Sequence, residues 1–258
     1  MKILSALPLI AALHFPLAHH VFADELSQIK SSKVFRVGTA GDYPPYAFHN
    51  QRGLLTGFDV EIAEALARRL GTNVQFIEGK WDGLIAGLDA GRYDAVVDEV
   101  LISESRKARY DFSDSYIKTP IVLIVQTKNS NIHGFADLKG KKVAQTYTST
   151  FARLAESNGG EVVPVESASE SFELLVQNRV DAVIHDEPTY LDFQRTRKEK
   201  LKIVAIENSG ATPSQAGVVI RKNNPELLLA INKALADIKA DGTYLTISKK
   251  YFGQDLSQ

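Results

Sequence analysis

The sequence predicts an α/β protein with largely parallel sheets. Three observations carry that expectation. Segments of strand character alternate with segments of helical period along most of the chain. The run Ala95-Val96-Val97 is apolar and β-branched without alternation, as in a strand covered on both faces. Finally, Leu88 to Glu99 lines up without gaps on Leu175 to Asp186, 87 residues later. The shared core is R-x-D-A-V, closed by Asp98-Glu99 in one copy and His185-Asp186 in the other. Both copies read as helix, turn, strand and polar strand end; chance similarity of a common helix–turn–strand is the alternative. In open α/β sheets ligands bind beyond the carboxyl ends of strands. Two such units would point polar strand ends at a shared cleft.

The elements follow in order. Val34 to Thr39 reads as the first strand, and the prolines of Asp42-Tyr43-Pro44-Pro45-Tyr46 stiffen the loop after it. That loop either presents its tyrosines to a ligand or is a plain turn. Gly57 to Leu70 is an amphipathic helix with Phe58, Ile62, Leu66 and Leu70 at every fourth position and Gly71 at its end. Val74 to Ile77 is a strand. Trp81, the only tryptophan, sits in a loop opening the helix Leu84 to Ala90, as a ligand platform or a packed plug. Tyr93 to Ile102 reads as a buried strand, and Ser103-Glu104-Ser105 starts a helix with Arg106 in its first turn. Arg106 there offers a carboxylate a bidentate fork; solvation, or pairing with Asp111 or Asp114, is the alternative.

Further along, Ile121 to Val125 is a strand and Phe135 to Gly140 a short helix and turn. Lys142 to Ala144 is a strand whose hydroxyl-rich end, Thr146 to Thr150, opens the helix Phe151 to Ser157, either as plain capping or as an anion-facing terminus. Val162 to Val165 is a strand. Ser167 to Glu170 matches a capping box before the helix Phe172 to Gln177. Ala182 to Ile184 and Leu201 to Ile206 are strands, Ser209 to Gln215 a loop and Val218 to Ile220 a strand. Asn224-Pro225 caps a long helix closed by Gly242, and a last helix carries Leu245, Ile247, Tyr251 and Phe252. No low-complexity linker occurs, so crossing strands near Tyr116–Pro120 and Ala211–Ala216 are expected to join two lobes.

At 258 residues the chain allows one large domain or two small ones. Hydrophobic residues make up 44% and charged residues 24%, an ordinary globular balance. A net charge of −1 with no basic block argues against nucleic-acid binding. Lys2, the apolar run to Ala18 and Val21-Phe22-Ala23 read as an export leader cleaved after Ala23. The absence of cysteine excludes disulfides, thiolate metal sites, a catalytic thiol and a lipid anchor on an N-terminal cysteine. An exported chain without that anchor is placed free in a periplasm.

No catalytic set stands out, and no metal or cofactor motif is present. Outside the leader only His49, His133 and His185 remain. His185 beside Asp186 is an acid–base pair, a structural pair or a ligand anchor. Asp98, Glu99 and Asp186 set against Arg106 suit a zwitterion.

These residues resemble a known family, the extracytoplasmic solute-binding proteins of polar amino-acid ABC importers. The likeness lies in Gly38 to Tyr46, in Leu55-Thr56-Gly57-Phe58-Asp59-Val60-Glu61, in Ile102 to Arg106 with Tyr110-Asp111-Phe112-Ser113, and in Asp241-Gly242-Thr243 with Tyr251-Phe252-Gly253. Lys80 to Leu84 and Val97 to Val100 lean towards the cystine-binding branch. The resemblance implies a two-lobed periplasmic-binding-protein fold of type II, each lobe a mostly parallel sheet flanked by helices, with the ligand in the cleft. Residues 24–118 and 213–258 would form one lobe and 119–212 the other. It further implies a monomer that hands its amino acid to permease subunits in the inner membrane. Arg106 would bind the ligand carboxylate and Asp186 its ammonium. Tyr43 and Trp81 would sandwich the side chain, while Ser149 and Thr150 donate from the second lobe. Asp42, Asp98, Glu99 and Leu101 complete the expected site.

The chain departs from the family at three places. Ala40 stands where many relatives carry an acid, Leu101 where a Thr or Ser assists the Arg, and Asp98-Glu99 where residues are smaller or neutral. A sensor role is open on the same fold. So is cyclohexadienyl dehydratase activity, in which Asp42 would take part, although Thr189 replaces the acid that such enzymes carry.

Overall fold

The computed structural model describes residues 24–197, 200–207 and 214–257. The expected leader, residues 1–23, and most of the loop expected from Ser209 to Gln215 lie outside them.

Helix α1 (Glu25–Ser32) leads into β1 (Val34–Thr39), followed by a meander of β2 (Asp42–Tyr43), β3 (Ala47–His49) and β4 (Leu55–Thr56). Then come α2 (Phe58–Leu70), β5 (Asn73–Glu78), α3 (Trp81–Asp89), β6 (Ala95–Val96), the one-turn α4 (Glu104–Lys107) and β7 (Tyr110–Phe112). Strand β8 (Ile117–Thr119) crosses to the second lobe. That lobe holds β9 (Ile121–Gln126), β10 (Lys142–Gln145), α5 (Thr150–Ser157), β11 (Glu161–Pro164), α6 (Ala168–Val176), β12 (Val183–Asp186), α7 (Glu187–Arg197) and β13 (Leu201–Ile206). Strand β14 (Ser214–Ala216) returns alongside β8, antiparallel, with Gln215 opposite Lys118. β15 (Val219–Arg221), α8 (Pro225–Ala240) and α9 (Thr243–Phe252) complete the first lobe.

The main sheet of each lobe is parallel but for one strand. The first runs β5-β1-β6-β15-β7, and only β15 is reversed. In the second, β11 and β10 are parallel, a Val143–Ala182 bridge joins them to the β12 segment, and β9 runs against both β12 and β13. Each reversed strand follows a crossing strand. The chain arrives from the other lobe and enters its new sheet from the cleft end.

The near-repeat is real in three dimensions. Helices α3 and α6 are followed by the C-cap residues Ala90 and Gln177, with φ of −76° and −77°. The next residues, Gly91 and Asn178, are left-handed at φ 68° and 55°. Arg92 N–H then donates to Gly87 O, and Arg179 N–H to Leu174 O. Asp94 accepts from the Arg36 N–H at 2.8 Å, and Asp181 from the Lys142 N–H at 2.8 Å. Each Asp thereby ties its turn to the neighbouring strand.

Several element boundaries differ from expectation. The strand expected from Tyr93 to Ile102 shrinks to Ala95–Val96 because Glu99 is left-handed at φ 48°, which turns the chain out of the ladder. Leu101 pairs again, bridging to Ala216. Trp81 is the first residue of α3, not part of a loop before it. The helix after the Ser167 cap starts at Ala168, because Ser167 Oγ accepts the Glu170 N–H. Helix α7 has no counterpart among the expected elements; it begins at Glu187-Pro188, and proline is tolerated in a first turn.

The core sits against both sheets. Phe58, Ile62 and Leu66 of α2 are fully buried, each contributing roughly 1.5–3 kcal/mol. Gly57 makes their helix possible: its φ is 138°, and a Cβ would run into the Tyr46 carbonyl. That close approach lets the Asp59 N–H donate to Tyr46 O at 2.9 Å, anchoring the Tyr43–Tyr46 loop on the α2 N-terminus.

Candidate functional site

A cleft lies between the lobes, with about 530 Å³ of empty space counting the open solvent in it. From the first lobe it is lined by Ala40, Asp42 and Tyr43 after β1, by Trp81 opening α3, and by Asp98, Glu99 and Leu101 after β6. From the second come Gln145, Thr146, Ser149, Thr150 and Phe151 around the β10–α5 junction, Glu166 to Ala168 and Ser171 around the α6 start, and His185. Nearly every contribution comes from the carboxyl end of a strand or the helix start after it, the arrangement that open α/β sheets favour for ligands. Of the ten residues expected from sequence, Arg106 and Asp186 are the two that do not line it.

Arg106 lies just behind the lining. It is 6% exposed, its Nη1 donates to Leu101 O at 2.8 Å, and its guanidinium sits 5.6 Å from the Trp81 ring centre. No carboxylate pairs with it among the described residues; Asp111 instead pairs with Lys222 at 2.7 Å. Burial, with Arg153 as a second cause, pushes its pKa down to about 10.

Asp186 is fully buried at the end of β12 and is held by the protein's own donors. Its Oδ1 accepts from the Tyr46 hydroxyl at 2.8 Å and the Thr189 N–H at 2.9 Å. His185 Nδ1 and the Tyr43 hydroxyl lie 2.7 and 2.8 Å from its Oδ2. Burial alone would raise its pKa, but the bonds from His185 and Thr189 outweigh burial and hold it below the ordinary value.

Glu99 occupies the equivalent place on the other lobe. Its Oε2 is 2.9 Å from the same Tyr43 hydroxyl, and its N–H donates to Asp59. Burial first, and then the charge of Asp186, raise its pKa well above the usual range. Tyr43 has one hydroxyl proton and two carboxyl neighbours. With Glu99 protonated every bond is satisfied: Glu99 donates to Tyr43, and Tyr43 donates to Asp186.

Three polar atoms of lining residues are buried without a partner among the described residues: Trp81 Nε1, Asp98 Oδ2 and Thr150 Oγ1. Ser149 Oγ is occupied as an N-cap acceptor from the Ala152 N–H at 3.0 Å. The lobes also touch directly. Asp82 Oδ1 accepts from the N–H and hydroxyl of Thr148 at 2.9 and 2.8 Å, Arg153 donates to Ser105 Oγ at 3.0 Å, and Lys80 lies between Asp42 and Glu166 at 3.5 and 3.3 Å. This is a closed form.

Sequence reasoning does not place Gln145, Ser167 or Ser171 at the site. The polar end of β10 and the Ser167 cap are the available signals, since the same rule selects Ser149. Nothing in local sequence shows that Glu99 is supported by Asp59 of α2, by Thr119 of β8 and by Tyr116 just before that strand.

Comparison with known proteins agrees with this architecture. Residues 35–254 match the family described as bacterial extracellular solute-binding proteins, family 3. The L-cystine-binding protein TcyA of Bacillus subtilis (strain 168) is 37% identical over 236 residues, covering 91% of this chain and 87% of the relative. An ancestral arginine-binding protein bound to arginine superposes with a TM-score of 0.79 at 39% identity, covering 86% of this chain and 99% of that one. The L-cystine solute receptor of Neisseria gonorrhoeae, in its unliganded open conformation, gives 0.61 at 36% identity, covering 92% and 100%. The greater likeness to the ligand-bound structure fits the closed cleft seen here. Among the described residues no helix is long and apolar enough to cross a membrane. This chain belongs to the bacterial extracellular solute-binding proteins, family 3.

Proposed function

We propose that the protein captures a polar L-amino acid by closing its lobes and delivers it to the permease subunits of an ABC importer. One observation carries the reading: a buried guanidinium, Arg106, stands beside the cleft with no carboxylate partner among the described residues. A buried charge without a counter-charge is costly, and a ligand carboxylate would remove that cost. The ligand ammonium would exchange with a tyrosine hydroxyl at Asp186, and Tyr43 and Trp81 would flank the side chain. Lobes of residues 24–118 with 213–258, and of 119–212, would hinge at β8 and β14. The protein would work as a monomer in the periplasm, after loss of residues 1–23, without cofactor or turnover. L-Cystine is the first candidate ligand, on the cystine-type segments Lys80–Leu84 and Val97–Val100 and the similarity to cystine-binding proteins.

A thermal-shift panel of amino acids on ligand-stripped protein tests this. A polar L-amino acid should raise the melting temperature in step with its concentration. No response to any amino acid would sink the reading.

Dehydration of prephenate or arogenate is a second reading, favoured by one observation: Glu99 lines the cleft, and burial raises its carboxyl pKa. Against it, the Glu99 carboxyl is already hydrogen-bonded to the Tyr43 hydroxyl, and Thr189, where the enzymes carry an acid, donates its hydroxyl to Asp186. Phenylpyruvate or phenylalanine formed in proportion to added protein would establish turnover.

A further inference from the structure

Asp98 is not explained by a single zwitterion. It ends β6, is fully buried and lines the cleft. Its Oδ1 accepts from the Thr39 hydroxyl at 2.7 Å and the Ala40 N–H at 2.9 Å, which fixes the plane of the carboxyl group. Its Oδ2 is buried with no partner among the described residues. The other acids at the cleft are accounted for: Glu99 shares the Tyr43 hydroxyl, while Asp42 and Glu166 flank Lys80. No Lys or Arg occurs among the lining residues. Asp98 is thus an oriented carboxyl with one unpartnered oxygen, and no Lys or Arg of the lining meets it.

In the proposed function Arg106 and Asp186 already take the carboxylate and ammonium of the amino-acid head. We infer that Asp98 Oδ2 receives a second cationic group, so that the cleft selects amino acids carrying two cationic centres. That group is the far ammonium of a disulfide-linked diamino acid, or the ammonium or guanidinium of a basic side chain. The inference rests on the amino-acid-binding reading and adds the ligand class. A charge-assisted bond to an oriented, desolvated carboxylate is strong and discriminates against neutral isosteres, which leave the oxygen unpaired.

Titration calorimetry on the ligand-stripped protein decides it, using matched pairs. L-Arginine is compared with neutral L-citrulline. L-Cystine is compared with the mixed disulfide of L-cysteine and 3-mercaptopropionate, which lacks the far ammonium. The member with the second cation should bind at least about tenfold more tightly in at least one pair, and which pair responds identifies the source. Asp98→Asn keeps the acceptor for Thr39 and Ala40 but turns an amide NH₂ to the cleft. It should remove that preference, so that the two members of the responding pair bind alike. Equal affinities within both pairs, or a preference that survives in Asp98→Asn, overturn the inference while leaving amino-acid binding intact. Binding of no amino acid overturns both. Should Asp98→Asn fail to fold, the wild-type pairs alone decide between preference and equal affinity.

Discussion

Glu99 and Asp186 hold equivalent positions in the two halves of an internal repeat, 87 residues apart, and meet at one hydroxyl, that of Tyr43. Each ends the strand that follows its helix and turn. Closure brings the two strand ends together, and a single phenol bridges two buried carboxyl groups.

Removing the bridge should therefore weaken closure. Tyr43→Phe leaves Asp186 short of a donor in the closed form only, because that bond crosses the cleft, whereas Glu99 lies in the same lobe as Tyr43 and loses its neighbour in both forms. Ligand affinity should fall by about 1–3 kcal/mol, read by calorimetry. Glu99→Gln retains an N–H donor towards Tyr43 and should bind within about threefold of wild type. Wild-type affinity in Tyr43→Phe would show that the bridge does not contribute.

Arg106→Ala should cost on the order of 2–5 kcal/mol of binding. Arg106→Lys should recover only part, because an ammonium lacks the planar fork. Its position against Leu101 O and Trp81 predicts that the Ala variant still folds, and circular dichroism checks that. A folded Ala variant with unchanged affinity would remove Arg106 from the site.

Stability of the unliganded protein should depend on pH through Asp98. Burial raises its pKa from 3.8 to about 7, with hydrogen bonds from Ala40 and Thr39 opposing and Asp42 adding to the rise. The charged form is therefore disfavoured in the folded state. The stability linked to this residue is full below about pH 4 and is lost as pH rises through about 7, on the order of 4 kcal/mol at most. Melting of ligand-stripped protein should be lower at pH 8 than at pH 5.5, and Asp98→Asn should flatten that part of the profile. A slope untouched by the substitution would assign it to Asp59 or Glu99, whose pKa values burial also raises.

Lobe closure should be visible in solution. Small-angle scattering should give a smaller radius with saturating ligand than without. Asp82→Ala removes the two bonds from Thr148 at the mouth of the cleft. Because this contact is exposed, the closed state should lose no more than about 1 kcal/mol, seen as faster ligand release. Identical scattering curves with and without ligand would contradict hinge closure.

Much was determined by the sequence itself. The alternation of strands and helices, the α2 face of Phe58, Ile62 and Leu66, and the repeat from Leu88 and Leu175 rest on local periodicity and turn chemistry, which a sequence carries openly. So does the rule that polar residues at strand ends face the cleft, and Asp98, Glu99, Ser149 and Thr150, which follow from it, line the cleft. The tertiary structure decided what periodicity cannot express. It set the reversed strands β9 and β15, because direction in a sheet depends on where the chain enters it. It set the short β6, because the left-handed turn at Glu99 is held by Asp59, a partner forty residues away in sequence. It placed Asp186 behind a screen of tyrosines, and it left one oxygen of Asp98 without a partner. Whether a buried polar atom is satisfied depends on every element packed around it, so the number of open donors and acceptors in this cleft follows from the closed fold alone.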